Sequence, residues 1–152
     1  MTGVTATGIA IDRTTAASPD AVFAALSEAD AFAHWFGGPD VEVPADRLAF
    51  TAEPGAPWSA TMVLPDGNTI DWAGRFVRVE PPHAFSFTLT DQPGADALAD
   101  AVPVTVTIVP ADGGAALHMT QETPGFPEEQ KAATLEGWQL FFDEILKLAE
   151  AR

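Results

Sequence analysis

The sequence predicts an α+β domain: one antiparallel sheet, two short helices after its first strand, and a long C-terminal helix. Three observations carry this. Across residues 41–122, turn-forming clusters recur about every ten residues, and the intervals between them alternate apolar and polar side chains, the period-two mark of half-buried strands. The connections are too short for crossover helices, so sequential strands pair antiparallel as a meander. Over residues 127–152 the period changes to that of a helix, with Leu135, Trp138, Phe142, Ile145 and Ala149 stepping by three and four, flanked by Phe141 and Leu148.

Taken in order, residues 4–12 read as the first strand, because Ile9 and Ile11 alternate with Ala10 and Asp12. Ser18-Pro19-Asp20 follows as a helix start: a capping hydroxyl, a proline at the first helical position and an acid near the positive helix end. Val22 and Leu26 share one face of that helix. Ser27 or Asp30 is expected to cap a second short helix ending at Trp35-Phe36, where Gly37-Gly38-Pro39 stops it. The turns that follow are Glu53-Pro54-Gly55, Pro65-Asp66-Gly67-Asn68, Glu80-Pro81-Pro82, Asp91-Gln92-Pro93-Gly94 and Asp112-Gly113-Gly114. Between them, Trp58, Ala60, Met62 and Leu64 form one strand face, and Ile70, Trp72, Gly74 and Phe76 form another. Phe85, Phe87 and Leu89 continue the pattern, as do Val102, Val104, Val106 and Ile108, and then Leu117, Met119 and Gln121. Residues 95–101 read only as an Ala-rich tract. In the last helix Pro127, Glu128 and Glu129 suit the start, Lys147 and Arg152 suit the end, and Asp143 is spaced to pair with Lys147.

A chain of 152 residues with 47% hydrophobic content holds one core, so residues 1–152 are expected to form one domain. Seven Lys and Arg against 22 Asp and Glu leave a net charge of −15, which repels nucleic acid and anionic membrane surfaces. With no cysteine there is no disulfide, no thiolate metal site and no thiol nucleophile. The first residues lack a basic, then apolar, leader, and no stretch approaches the roughly 18–20 apolar residues of a membrane span. A cytoplasmic protein is the expectation. His34, His83 and His118 are scattered, so no metal is expected. The glycines form neither G-x-G-x-x-G nor a P-loop, and no serine sits in a G-x-S-x-G elbow, so no cofactor and no serine-hydrolase chemistry are expected.

Several runs of residues occur here in a telling order: residues 17–26 (ASPDAVFAAL), His34-Trp35-Phe36-Gly37, Pro65-Asp66-Gly67, Gly74-Arg75-Phe76, Glu80-Pro81-Pro82, Phe85-Ser86-Phe87-Thr88 and Glu136-Gly137-Trp138. Together they resemble the Hsp90 ATPase activator homology family of the START/Bet v 1-like, polyketide-cyclase-like superfamily. The resemblance implies a helix-grip fold, in which the C-terminal helix lies across a strongly curved antiparallel sheet and leaves a cavity between them. It implies no single activity, because the family includes a co-chaperone domain, small-molecule binders and bacterial proteins of unassigned role. The co-chaperone carries a further domain for which these residues leave no space. The family often has histidine near the place of Gln121.

Large rings on both sheet and helix can enclose an apolar cavity with a few orienting polar groups. The candidate pocket residues are Trp58, Met62, Trp72, Phe76, Phe87, Met119 and Trp138, with Phe142 deeper along the helix and Trp35 at the mouth. Each ring would also serve as plain core packing, and Trp35 as a plug that anchors the short helices rather than a gate. Gln121 should face the helix, where its amide either meets a ligand or satisfies a buried backbone group. Arg75 should face away from the pocket unless a bulge reverses its strand, in which case it would suit an anion. Glu42, Asp71 and Glu122 are possible acids without an evident partner. The leading expectation is a cofactor-free binder of a small apolar or aromatic molecule, rather than an enzyme, and either monomer or dimer. A cyclase- or dehydratase-like enzyme would need a convergent acid–base pair in the pocket. An Hsp90-type co-chaperone or other interaction module would need an exposed apolar patch.

Overall fold

The computed structural model describes residues 2–92 and 94–152. Strand β1 (Gly3–Val4) turns back on β2 (Gly8–Thr15), and helices α1 (Pro19–Ser27) and α2 (Ala29–Trp35) follow. A 3-10 turn (Ala45–Arg47) leads into β3 (Leu48–Ala49), β4 (Pro57–Val63), β5 (Thr69–Glu80) and β6 (Ala84–Thr88). Helix α3 (Ala95–Asp100), β7 (Pro103–Ala111), β8 (Gly114–Glu122) and α4 (Glu128–Glu150) complete the chain. The sheet order is β1-β2-β8-β7-β6-β5-β4-β3. Every pairing is antiparallel, and β3 to β8 form the expected meander while β2 docks on the last strand. Helix α4 packs against β1, β2, α1 and α2. This is the helix-grip arrangement. Among the described residues, no helix is long and apolar enough to cross a membrane.

The Ser18 hydroxyl caps α1 by accepting from the Ala21 N–H at 3.2 Å, with Pro19 opening the helix. Removing that acceptor with Ser18→Ala is expected to lower stability by about 1 kcal/mol, read as a shift in the urea midpoint at constant slope. Val22 and Leu26 are buried on one face, as their spacing requires. The cap of α2 differs from expectation. Neither Ser27 nor Asp30 performs it, since the Ser27 hydroxyl donates to the Phe23 carbonyl at 2.7 Å and the extended residue Glu28 fills the capping position without a side-chain bond. Gly37 and Gly38 do end this helical segment, both at positive φ.

Four further departures have local causes. The first strand is split: Thr5 N–H donates to the Gly8 carbonyl at 2.8 Å and the Gly8 N–H donates to Thr5 Oγ1 at 2.9 Å, so Val4 pairs back onto Ile9. The interval after Gly38-Pro39 holds only a bridge from Glu42 to Val63, the 3-10 turn and two residues of β3. The Ala-rich tract contains α3, in keeping with alanine's high helix propensity. Pro93, in the turn before it, lies outside the described residues. Asp143 pairs with Arg13 at 2.9 Å rather than with Lys147, which sits 3.5 Å from Glu144.

In β5 the register shifts between Phe76 and Arg78, leaving Val77 as a bulge. The bulge lies beyond Arg75, which stays exposed on the outer face. Inside, α4 buries Trp138, Phe142, Ile145 and Ala149, with Leu135 half-buried. Lys131 is the unexpected member of that face. It is 6% exposed, and its ammonium donates to the carbonyls of Thr5 and Ala6 at 3.2 and 3.1 Å, which ties the β1–β2 turn to the start of α4.

Candidate functional site

Between the first half of α4 and the sheet runs a cleft of about 630 Å³. One wall comes from Thr134, Gly137, Trp138 and Phe141 of α4. Opposite stand Met62 of β4, Trp72 of β5, Leu89 beyond β6 and Phe36 beyond α2. The mouth is formed by Asp91 and Gln92, by Asp100 to Val102 at the end of α3, and by Glu122 to Pro124 at the end of β8. A separate groove of about 550 Å³ over Asp46, Arg47, Ser59, Thr61, Thr69 and Asp71 lies on the outer face of β3 to β5 and offers mainly exposed polar groups.

The cleft's apolar wall is a chain of rings in edge and tilted contact. Trp138 meets Phe141 at 5.2 Å, Phe141 meets Phe36 at 5.9 Å, and Phe36 meets Trp72 at 5.8 Å. The Trp72 indole N–H points to the Met62 sulfur at 3.2 Å. Helix α4 has a glycine, Gly137, at the middle of this wall. A Cβ built there would meet nothing within 4 Å, so the residue leaves cleft space unfilled at the expense of helix propensity.

Besides Thr134, whose hydroxyl donates to the Gln130 carbonyl at 2.8 Å, Gln121 and Thr123 bring polar side chains to the wall. The Trp138 indole N–H donates to Gln121 Oε1 at 2.8 Å. Indole nitrogen only donates, so the amide oxygen must face it and the amide NH₂ is the end left without a protein partner among the described residues. Thr123 is 2% exposed, and its hydroxyl has no hydrogen-bond partner among the described residues. A buried hydroxyl in that condition costs about 1–3 kcal/mol.

Of the ten candidate pocket residues, the structure brings Met62, Trp72, Gln121 and Trp138 to this cleft. Trp58, Phe76, Phe87, Met119 and Phe142 lie in the core beneath it, each 2% exposed or less. Trp35 is also fully buried, its indole N–H donating to the Ala25 carbonyl at 2.9 Å. Of the three possible acids only Glu122 reaches the cleft. Asp71 is exposed and accepts from the Thr61 hydroxyl at 2.8 Å, and Glu42 is exposed beside Val63. Asp91, Asp100, Thr123 and Phe141 join the site without having been singled out. Thr123 was within reach of the sequence, since it is the next step in the alternation of Leu117, Met119 and Gln121. No three His, Cys, Asp or Glu side chains gather as metal ligands among the described residues.

The family profile described as Activator of Hsp90 ATPase homolog 1-like protein matches residues 16–150. The chain belongs to this family. The match spans every element of the Hsp90-activator-like fold from α1 to α4. Among solved structures, the AHSA1 protein from Silicibacter pomeroyi is 26% identical with a TM-score of 0.79, over 94% of this chain and 98% of that one. A protein from Chromobacterium violaceum is 22% identical with a TM-score of 0.78, over 96% and 99% of the two chains. The AHSA1-like protein from Aeromonas hydrophila is 24% identical with a TM-score of 0.70, over 93% and 92%. At the lower identities the likeness is one of fold. No curated protein matches the chain.

Proposed function

We propose that this Hsp90-activator-like protein is a cytoplasmic, cofactor-free binder of a small molecule with an apolar or aromatic body, held in the cleft between the sheet and α4. The observation that carries this reading is the ring-lined cleft itself, opened by Gly137. Its volume falls within the roughly 300–1,000 Å³ of small-molecule sites, and its mix of rings with a few polar side chains suits orientation of such a ligand. An enzyme acting on a bound hydrophobic substrate would require an acid–base pair that converges on it. Among the described residues, the cleft's ionisable lining is confined to Asp91, Asp100 and Glu122, with no His, Lys or Arg. A chaperone partner rests on the family's description alone. Among the described residues, the large apolar side chains that are exposed, Val4, Val77, Val109 and Leu140, are spread over four elements.

The test is to fill the cleft without harming the fold. Gly137→Leu places a side chain into the open space from a helical position that prefers leucine to glycine by nearly 1 kcal/mol. The neutral dye N-phenyl-1-naphthylamine, whose emission rises in apolar surroundings, serves as the ligand. Gly137→Leu is expected to weaken dye binding by about tenfold or more while the melting temperature holds or rises. Unchanged dye affinity in a folded Gly137→Leu protein would place the binding surface elsewhere. Native mass spectrometry of the freshly purified protein checks the same site for a retained passenger.

A further inference from the structure

We infer that the ligand of this cleft carries a cationic nitrogen, a protonated amine on an aromatic or apolar body. This rests on the binding reading above and specifies its ligand class. Three independent features converge. The mouth holds Asp91, Asp100 and Glu122, contributed by three separate segments, and among the described residues no cation lines the cleft to balance them. The protein's own cations are engaged elsewhere: five of its seven Lys and Arg, namely Arg13, Arg78, Lys131, Lys147 and Arg152, form ion pairs with other carboxylates. Arg47 lies by the outer groove and Arg75 on the outer face. An anionic ligand would therefore enter against uncompensated charge, whereas an ammonium would enter with it.

The second feature is the wall of Trp138, Phe141, Phe36 and Trp72, since aromatic rings attract a cation through their quadrupoles. The third is Thr123. It lines the cleft next to Glu122, and its buried hydroxyl, without a partner among the described residues, is an acceptor that an ammonium N–H reaching this wall would satisfy. Gln121 is the poorer acceptor. Trp138 already takes one of the two lone pairs of its amide oxygen, and the amide NH₂ suits a carbonyl or ether oxygen on the same ligand.

Three naphthalene probes of one shape and different charge test this by isothermal titration calorimetry: 1-naphthylmethylammonium, 1-naphthalenemethanol and 1-naphthoate. The cation is expected to bind about tenfold tighter than the neutral alcohol at low salt, with the anion weakest. The triple variant Asp91→Asn, Asp100→Asn, Glu122→Gln should bring cation and alcohol to within about twofold, chiefly by weakening the cation. A control that removes the same charge elsewhere, Asp20→Asn, Glu53→Gln, Asp112→Asn, should retain the cation preference, because distant surface charges are screened. Thr123→Val, which keeps shape and deletes the hydroxyl, should weaken the cation about threefold to tenfold with no loss of melting temperature, and Thr123→Ser should retain binding. Equal binding of cation and alcohol would overturn the inference and leave the binding reading standing. Loss of preference in the control triple as well would also overturn it, since the effect would then come from net charge. Binding by none of the three probes, together with no dye binding, would sink both readings.

Discussion

Gly74→Ala is expected to destabilise the protein by about 3 kcal/mol or more, a loss of roughly 6–12 °C in melting temperature for a chain of this size. The reason is close approach on both sides of one backbone position. A Cβ at residue 74 would lie 1.8 Å from the Thr88 carbonyl oxygen, 2.6 Å from its carbon and 2.6 Å from the Trp58 indole nitrogen. Those neighbours are fixed to each other, because the Trp58 N–H donates to that same Thr88 carbonyl at 2.8 Å and the Thr88 hydroxyl accepts from the Arg75 N–H at 3.0 Å. The indole of β4 thus passes over β5 to bond the end of β6, and only a hydrogen fits between them. A methyl group must push strands apart, since the nearest atoms are backbone rather than a flexible chain end. Trp58→Phe, which removes the indole nitrogen, does not relieve the clash with the carbonyl and should not rescue the variant. Gly137→Ala supplies the contrast: same chemistry, open space, and an expected gain of about 1 kcal/mol. A Gly74→Ala protein melting with the wild type would show that β5 does not run this close to β6. Trp72 lies two residues away on the same face of β5, so a shift of this strand would carry the cleft wall with it.

Side-chain alternation told which face of each strand turns inward, and the structure agrees from Trp58 to Gln121. It did not tell depth. Trp58, Phe87 and Met119 share a face with Met62, Trp72 and Gln121, but the first three fall where the sheet is closed over by α1, α2 and α4, while the others lie toward the end the helix leaves open. That distinction comes from the curvature of the sheet and the crossing of α4, neither of which a period of two encodes. The bulge at Val77 left a trace, since Phe76 and Val79 are both inward yet an odd number of positions apart. Helix α3 left none beyond alanine content: its six residues carry no buried side chain that would impose a period. The acidic balance was plain in the composition, but that three carboxylates gather at one mouth depends on loops meeting from distant parts of the chain.

Trp35→Ala is the second large effect, expected to cost about 3–5 kcal/mol, and its pattern separates a plug from a gate. The ring is fully buried and touches Phe32, Phe36, Trp138 and Phe141 at centroid distances of 5.0 to 6.1 Å. It does more than fill space. Helix α1 ends at Ser27, so the Ala25 carbonyl is one of the last-turn acceptors without a partner within the helix, and the Trp35 N–H supplies it at 2.9 Å. Alanine would remove the packing and strand that carbonyl together. Trp35→Phe refills most of the volume but leaves the carbonyl unmet, so it should cost about 1–3 kcal/mol. Because Trp35 lies behind Trp138 and Phe141 rather than in the cleft, the Phe variant should keep its affinity for the neutral dye and its rates of dye entry and exit by stopped-flow fluorescence. A mobile gate predicts the reverse, faster exchange in Trp35→Phe at unchanged stability. The packing argues for the plug: a ring that bonds α1 and wedges against two rings of α4 cannot swing without uncapping one helix and unseating another, so the wall that would hold the ligand is braced from behind.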